Sequence, residues 1–333
     1  MKNQTESTSN FSVINAVNAF IDSITYSRSE NTAKTYRNGM KFLLFVLNEN
    51  EINPEEFPVS DISEEPIIWI AAALKNHAPT TESLYLSAVS QFYEYLIAED
   101  LASINMSRVK MLIKQRGRKP GIRLPQFPRK AIEDMIQFAN GLKEITAQSE
   151  AERLRNFRDR AFLISLADTG LRVHEACGLR RGDIDWNEGR AIIIGKGNRE
   201  AVIRFSSRAL RAIKDYLDVR APLDGISGRP LRSLPLFARH DKGAGKKIKP
   251  ISTTTGRNIV SQRVKECLGP EHAGSITPHS FRHYFVTTVV LGSGDIKLAQ
   301  ELARHKNIAV TTRYTHLSDD ELDKGYWEIF ENK

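Results

Sequence analysis

Through most of this chain the apolar residues recur at three- and four-residue steps. In one place, residues 190–205, that spacing gives way to two short β-rich runs around a glycine-rich turn. A fold obeying this pattern is mainly α with one small β-sheet. Val13, Ile14, Val17, Phe20 and Ile21 begin the helical pattern after a polar stretch, residues 1–10, that reads as a flexible tail. Residues 31–50 repeat it with Tyr36, Met40, Leu43, Leu44 and Leu47 on one side, and Pro66 suits the first turn of a helix over 66–76. Residues 80–99 form another, with Leu84, Ala88, Phe92 and Leu96 on one face and Val89 and Tyr93 beside it. Residues 11–107 thus read as a helical bundle of about four helices.

A break follows. Residues 101–130 contain no Asp or Glu and nine basic residues, and Pro120, Gly121, Pro125 and Pro128 interrupt helical structure. Residues 108–127 therefore read as a cationic linker, and 128–333 as a second domain. That domain is predicted to carry helices over 153–167, 171–179 and 207–217, with more resuming near Thr255, His279, Ile296 and Asp319. Residues 221–250 read as a loop rich in Pro, Gly and Lys.

Charge sharpens this division. The chain has 48 Lys and Arg against 40 Asp and Glu, a net +8. Residues 1–110 hold 8 basic and 14 acidic side chains, net −6, and the remaining 40 and 26 give net +14. A basic surplus concentrated in one region favours a polyanionic partner. No run of apolar residues is long enough to span a membrane and none resembles a signal peptide, so no membrane partner is expected. Two cysteines, Cys177 and Cys267, make neither a disulfide framework nor a thiolate zinc site.

Several chemistry-bearing residues lie in order along the basic half. Arg172 sits in the segment Thr169-Gly-Leu-Arg-Val-His-Glu175, and Lys196 sits at the hairpin tip. His279 and Arg282 stand three residues apart, hence on one helical face. His305 follows, then Tyr314 within Thr311-Thr-Arg-Tyr-Thr-His316. Each has an ordinary reading when taken alone. Arg172 pairs with Glu175 on an exposed helix, Lys196 is a turn lysine, and Tyr314 is a half-buried aromatic. His279 and His283 have the four-residue spacing of a metal pair, but Ser280 stands where a zinc peptidase needs Glu, so no metal is expected.

Taken together, these residues resemble the tyrosine recombinases, also called the phage integrase family. Gly170–Leu179 matches that family's G-L-R-x-x-E-x-x-x-L segment, Lys196 its hairpin lysine, and His279 with Arg282 its H-x-x-R. His305 matches the histidine before the nucleophile, and Tyr314 the nucleophile in T-x-x-Y-x-H. The resemblance implies a C-shaped two-domain clamp on double-stranded DNA, with a helical core-binding domain and a catalytic domain. It implies a site-specific recombinase that cuts and rejoins strands through a 3′-phosphotyrosyl bond and a Holliday junction. Such an enzyme integrates or excises a mobile element or resolves replicon dimers. It further implies a cytoplasmic protein at the nucleoid, of prokaryotic, phage or mobile-element origin. In the family the C-terminal helix docks into a neighbouring protomer. Here residues 319–333, with Leu322, Tyr326, Trp327, Ile329 and Phe330, would build a homotetramer in this way.

The chemistry fits the residue types. A protein nucleophile that forms a phosphate ester conserves the phosphodiester energy without ATP, which suits Tyr314. Arg172 and Arg282 are guanidinium groups that bind phosphate oxygens in pairs. Lys196 can protonate the leaving 5′-oxygen, while His279 and His305 hydrogen-bond the phosphate or move the tyrosine proton. Glu175 orients a neighbour. No cofactor is called for, because arginines supply the charge that a metal supplies elsewhere.

The DNA contacts expected outside the active site are Lys34, Arg37, Lys41, Lys75, Arg108, Lys114, Arg116, Arg118, Lys119 and Arg123. Because residues 1–110 are net acidic, the first four of these have to cluster on one face. With about ten residues ahead of the helical unit, no separate arm-site-binding domain is expected, which favours short recombination sites. The chain departs from the family pattern in having Arg304, not Gly, before His305, and in an extra charged segment over 141–158. The rival readings are a type IB topoisomerase, a telomere resolvase, and a DNA-binding protein without catalysis.

Overall fold

The computed structural model describes residues 11–118, 128–195, 199–241, 243, 247–305 and 307–311. Two compact units divide between Ile122 and Arg123. Among the described residues no helix is long and apolar enough to cross a membrane.

The first unit is helical: α1 (Val13–Ser27), α2 (Glu30–Glu49), α3 (Pro66–Ala73), α4 (Pro79–Ala98) and α5 (Met106–Arg116). Ser12 and Ser29 cap α1 and α2 by accepting from the third residue on, and Pro66 and Pro79 open α3 and α4, where a missing N–H costs nothing. The core joins Phe20, Met40, Leu43, Leu47, Ile67, Ile70, Phe92 and Tyr93, all at most 2% exposed. Gly39 lets α2 lie against α4, since a Cβ there would come within 2.9 Å of the Ala88 Cβ. Leu84, expected on the buried face of α4, is 54% exposed, and Leu86 points inward in its place. A row of four-residue steps drifts around a helix of 3.6 residues per turn, so its far end leaves the core.

The expected linker is folded at its start. Residues 106–116 are helix because Asn105 accepts from the Arg108 N–H at 3.1 Å and because Val109 and Leu112 bury against the bundle. The cationic side chains lie on the outer face of that helix. Arg108 pairs with Glu64 at 3.5 Å and Lys110 with Glu94 at 3.2 Å.

The second unit contains α6 (Arg129–Gly141), α7 (Glu150–Thr169), α8 (Val173–Gly178), β1 (Ile184–Asp185), β2 (Arg190–Gly195), β3 (Arg199–Arg204), α9 (Ser207–Ile226), α10 (Thr253–Leu268), α11 (Pro278–Ser293), α12 (Ile296–Ala303) and α13 (Ile308–Thr311). The strands form one antiparallel sheet in the order β1-β2-β3, with Ile193 opposite Ala201. Ala191, Ile193 and Ile203 turn inward, and Ile192, Ile194 and Val202 face outward. The hairpin expectation is met. Its tip, with Lys196, lies outside the described residues.

Helix α7 runs through the core of this unit, packed on α6, α9 and α11. Three of its charged residues, Arg158, Asp159 and Arg160, are buried, and each has a partner. Asp159 pairs with Arg158 at 2.7 Å and with Arg263 at 2.8 Å, and Arg160 pairs with Asp215 at 2.7 Å. The 141–158 segment is the end of α6, a turn, and the start of α7 capped by Ser149. Helix α9 continues past Pro222 into the expected loop. Asp224 on its last turns accepts from Arg220 at 2.9 Å and Arg181 at 2.5 Å, and this anchors the extension.

Candidate active site

Three chain turns meet, and the first two line one cleft. The first is the junction of α7 and α8. Gly170 ends α7 in the left-handed region (φ 59°), where a Cβ would come within 2.4 Å of the Phe285 ring. Leu171 is fully buried and pins the turn, so Arg172, the N-cap of α8, projects with 42% of its side chain exposed. Glu175 holds it in place. Oε2 accepts from the Arg172 backbone N–H at 2.8 Å, and Oε1 accepts from Nη1 at 3.0 Å. The expected orienting role of Glu175 has this geometry.

The second turn is the start of α11, where Pro278 occupies the first helical position and Thr277 caps. His279 and Arg282 share the face that lines the cleft. Arg282 is 2% exposed and donates to the Gly170 carbonyl at 2.5 Å and to the Ala303 carbonyl. His283 stacks edge-on against His279 with ring centroids 4.3 Å apart.

The third turn follows α12. Arg304 is its C-cap in the left-handed region (φ 58°), and His305 comes next. His305 Nδ1 lies 2.9 Å from Thr311 Oγ1, and the Gln300 side chain donates to the His305 carbonyl at 3.0 Å. Arg304 Nη2 donates to Glu175 Oε2 at 2.9 Å. The departure from the family pattern noted at residue 304 is thus a guanidinium joined to the Arg172 turn.

The electrostatics follow from this crowding. Burial and then the nearby Arg282 and Arg172 push the His279 pKa below its ordinary value. His305 is pushed down to about 4 by burial and the same arginines, and His283 to about 4 by burial, His279 and Arg282. All three rings are neutral at pH 7 and can accept or donate a proton. Burial alone would raise the Glu175 pKa, but Arg304 and Arg172 outweigh it and hold the carboxyl below the usual range.

The cleft encloses about 470 Å³ and is lined by Arg172, His279, Arg282, Thr277 and, from α10, Arg257, Asn258 and Ser261. Sequence reasoning missed the α10 residues. Their only signal was a polar stripe on a helix whose neighbours the sequence does not reveal. Tyr314 lies outside the described residues, as do Lys119, Arg123 and residues 319–333.

The sequence profile of the phage integrase family matches residues 129–321, more than half of the chain. The chain belongs to the phage integrase family. This recombinase is 30% identical over 299 residues to tyrosine recombinase XerC of Treponema denticola, covering 89% of this chain and 91% of the relative. It is 33% identical over 243 residues to XerC of Pelobacter propionicus, covering 72% and 70%. Its fold matches that of the XerH site-specific recombinase bound to a palindromic difH substrate, with a TM-score of 0.66 and 15% identity over 98% of this chain and 99% of that one. The Tn1549 transposon integrase in complex with a circular intermediate DNA gives a TM-score of 0.63 at 17% identity, covering 96% and 99%. The recombinase is a DNA-breaking and rejoining enzyme, and DNA is its partner.

The DNA-contact candidates of the first unit separate into two groups. Lys34, Arg37 and Lys41 are exposed and spaced along one side of α2, and Lys114 and Arg116 are exposed on α5. Lys75 and Arg118 are engaged inside the unit. The fully buried Glu82 accepts from the Arg118 backbone N–H at 2.7 Å, from its Nε at 2.5 Å and from Lys75 Nζ at 3.1 Å. Arg118 Nη2 also donates to the carbonyls of Leu74 and His77.

Proposed function

We propose that the recombinase cleaves each strand by attack of Tyr314 on the scissile phosphate, forming a 3′-phosphotyrosyl ester and releasing a 5′-hydroxyl. Arg172 and Arg282 hold the non-bridging oxygens as negative charge builds on them. Lys196 donates the proton to the leaving oxygen, and neutral His279 and His305 hydrogen-bond the phosphate or accept the phenol proton. A phenol with an ordinary pKa of about 10 needs such help at neutral pH. Glu175 positions Arg172. Rejoining reverses the step with a partner strand, so two sites exchange through a Holliday junction.

The observation that carries this reading is the meeting of Arg172, Arg282 and His279 on one cleft, with His305 in electrostatic reach of both arginines. Residues 319–333, with their apolar side chains, would dock into a neighbouring protomer and close a homotetramer on DNA. The enzyme would act in the cytoplasm on nucleoid or element DNA, integrating or excising a mobile element or resolving replicon dimers. The DNA flanking its gene would show which.

The test is covalent capture. The wild-type protein is mixed with a random-sequence duplex library, and duplexes that stay attached after denaturation are sequenced. Tyr314→Phe should bind the captured duplex with unchanged affinity and form no adduct. A normal adduct in that variant would reject Tyr314 as the nucleophile.

A further inference from the structure

The active site contains a guanidinium that the roles above do not use. Arg304 occupies a left-handed C-cap (φ 58°, ψ 45°), a conformation that glycine adopts freely and arginine does not. Its side chain is 12% exposed, and Nη2 is committed to Glu175 at 2.9 Å. Among the described residues, its Nε and Nη1 are buried with no hydrogen-bond partner. A strained backbone and two idle buried donors are both unfavourable, and a fold that keeps them at its phosphate site has a use for the charge.

The charge count supplies that use. Glu175 is shared between Arg172 and Arg304, one contact from each guanidinium. Arginine stays protonated inside proteins, and the three histidines are neutral. Arg172, Arg282 and Arg304 against Glu175 therefore contribute three positive charges and one negative, beside Arg257 on the wall of the same cleft. With glycine at 304, Glu175 would cancel half of the charge of the remaining two arginines. Attack of the tyrosine phenolate on a phosphodiester makes the Oη–P bond before the P–O5′ bond is lost. The five-coordinate phosphorus then bears two negative charges, until the leaving oxygen takes its proton from the general acid. Arg304 offsets Glu175, so the charge of Arg172 stays available against that dianionic transition state.

We infer that Arg304 is a positioning residue of the strand-cleavage reaction: by engaging Glu175 it frees the charge of Arg172 for the scissile phosphate. This rests on the reading of Arg172 and Arg282 as phosphate ligands. Arg304 acts through Glu175 and Arg172.

The experiment compares wild type, Arg304→Gly and Arg304→Lys on the duplex captured by the wild-type protein. That duplex is made once with a normal scissile phosphate and once with a methylphosphonate, which lacks one negative charge. Glycine suits the left-handed backbone, so Arg304→Gly keeps the fold, and circular dichroism checks this. On the phosphate duplex Arg304→Gly should form adduct about tenfold or more slowly than wild type, with duplex affinity within about twofold. Arg304→Lys should lie between the two. On the methylphosphonate duplex the gap between wild type and Arg304→Gly should shrink to about threefold or less, because the transition state there carries one charge fewer.

Equal rates on the phosphate duplex would overturn the inference. So would an equal loss on both duplexes, which marks a structural effect. If the wild type forms no adduct on any duplex, the reading of the site itself fails, and the inference falls with it.

Discussion

Arg282 donates from Nη1 to the carbonyl oxygen of Gly170 at 2.5 Å, tying the second arginine of the cleft to the turn that carries the first. Its other nitrogen reaches the Ala303 carbonyl, next to Arg304 and His305. One guanidinium that is 2% exposed thus fastens the ends of α7 and α12 to α11. The spacing of the turns that carry Arg172, Arg282 and His305 is thus set by a buried frame, which is the preorganisation that charge stabilisation requires.

Gly170 is the weakest point of that frame to mutation. Its φ is 59°, and a Cβ would come to 2.4 Å from Phe285. Gly170→Ala should cost about 2–5 kcal/mol, summing backbone strain and overpacking. It should also slow adduct formation more than tenfold, as both arginines shift. Urea unfolding and the rate of covalent capture check the two effects. An unchanged midpoint would contradict the frame.

Lys196 is proposed as the general acid, so its loss should matter only when the leaving oxygen needs a proton. Lys196→Ala should cleave a normal duplex about a hundredfold or more slowly. A 5′-phosphorothiolate at the scissile position, whose sulfur leaves unprotonated, should restore the rate to near that of wild type. Lack of rescue would remove Lys196 from this role.

Two kinds of basic residue in the first unit should separate by salt dependence. Lys34→Ala, Arg37→Ala and Lys41→Ala, on the open side of α2, should each lower DNA affinity and reduce the slope of log K against log salt by about 1. Arg118→Ala should instead lower the stability of the unit by about 1–3 kcal/mol, because buried Glu82 keeps Lys75 but loses a charged donor. Its salt slope should stay that of wild type. Affinity measured from low to moderate salt, together with denaturant unfolding, distinguishes the two.

Acid should destabilise the second unit through its buried histidines. Burial, then Arg158 and Arg220, push His240 down to about 3, and His283 and His305 are pushed to about 4, all from an ordinary value of 6.5. Between those values the unfolded chain binds protons that the folded one does not, so stability rises with pH. The contribution is complete above about pH 6.5 and is lost as pH falls toward 4. The melting temperature should drop steadily from pH 6.5 to 5, above the range where most carboxylates titrate. His240→Gln, which keeps a hydrogen-bonding group beside the Tyr216 hydroxyl, should flatten part of that slope. A melting temperature that is level across this interval would contradict the buried neutral state.

The chain by itself determined the helical bundle, the hairpin of β2 and β3 and the order of the phosphate-handling residues. Each is carried by local information: the 3.6-residue period of Val13 to Ile21, the switch of period at Arg190, and the i and i+3 placing of His279 and Arg282 on one turn. The helix over 106–116 escaped because its signal was charge, and the apolar residues it buries almost completely are only Val109 and Leu112. Which cations face outward was also beyond the sequence. Lys41 and Lys75 look alike along the chain, yet Lys75 is bound to a buried carboxylate on another helix. The tertiary structure alone decided that Arg257, Asn258 and Ser261 line the cleft and that Arg304 meets Glu175, 129 positions away in the chain. Local spacing sets which residues share a face. Packing of distant elements sets which faces meet, and the charge of a site is the sum over the faces that meet there.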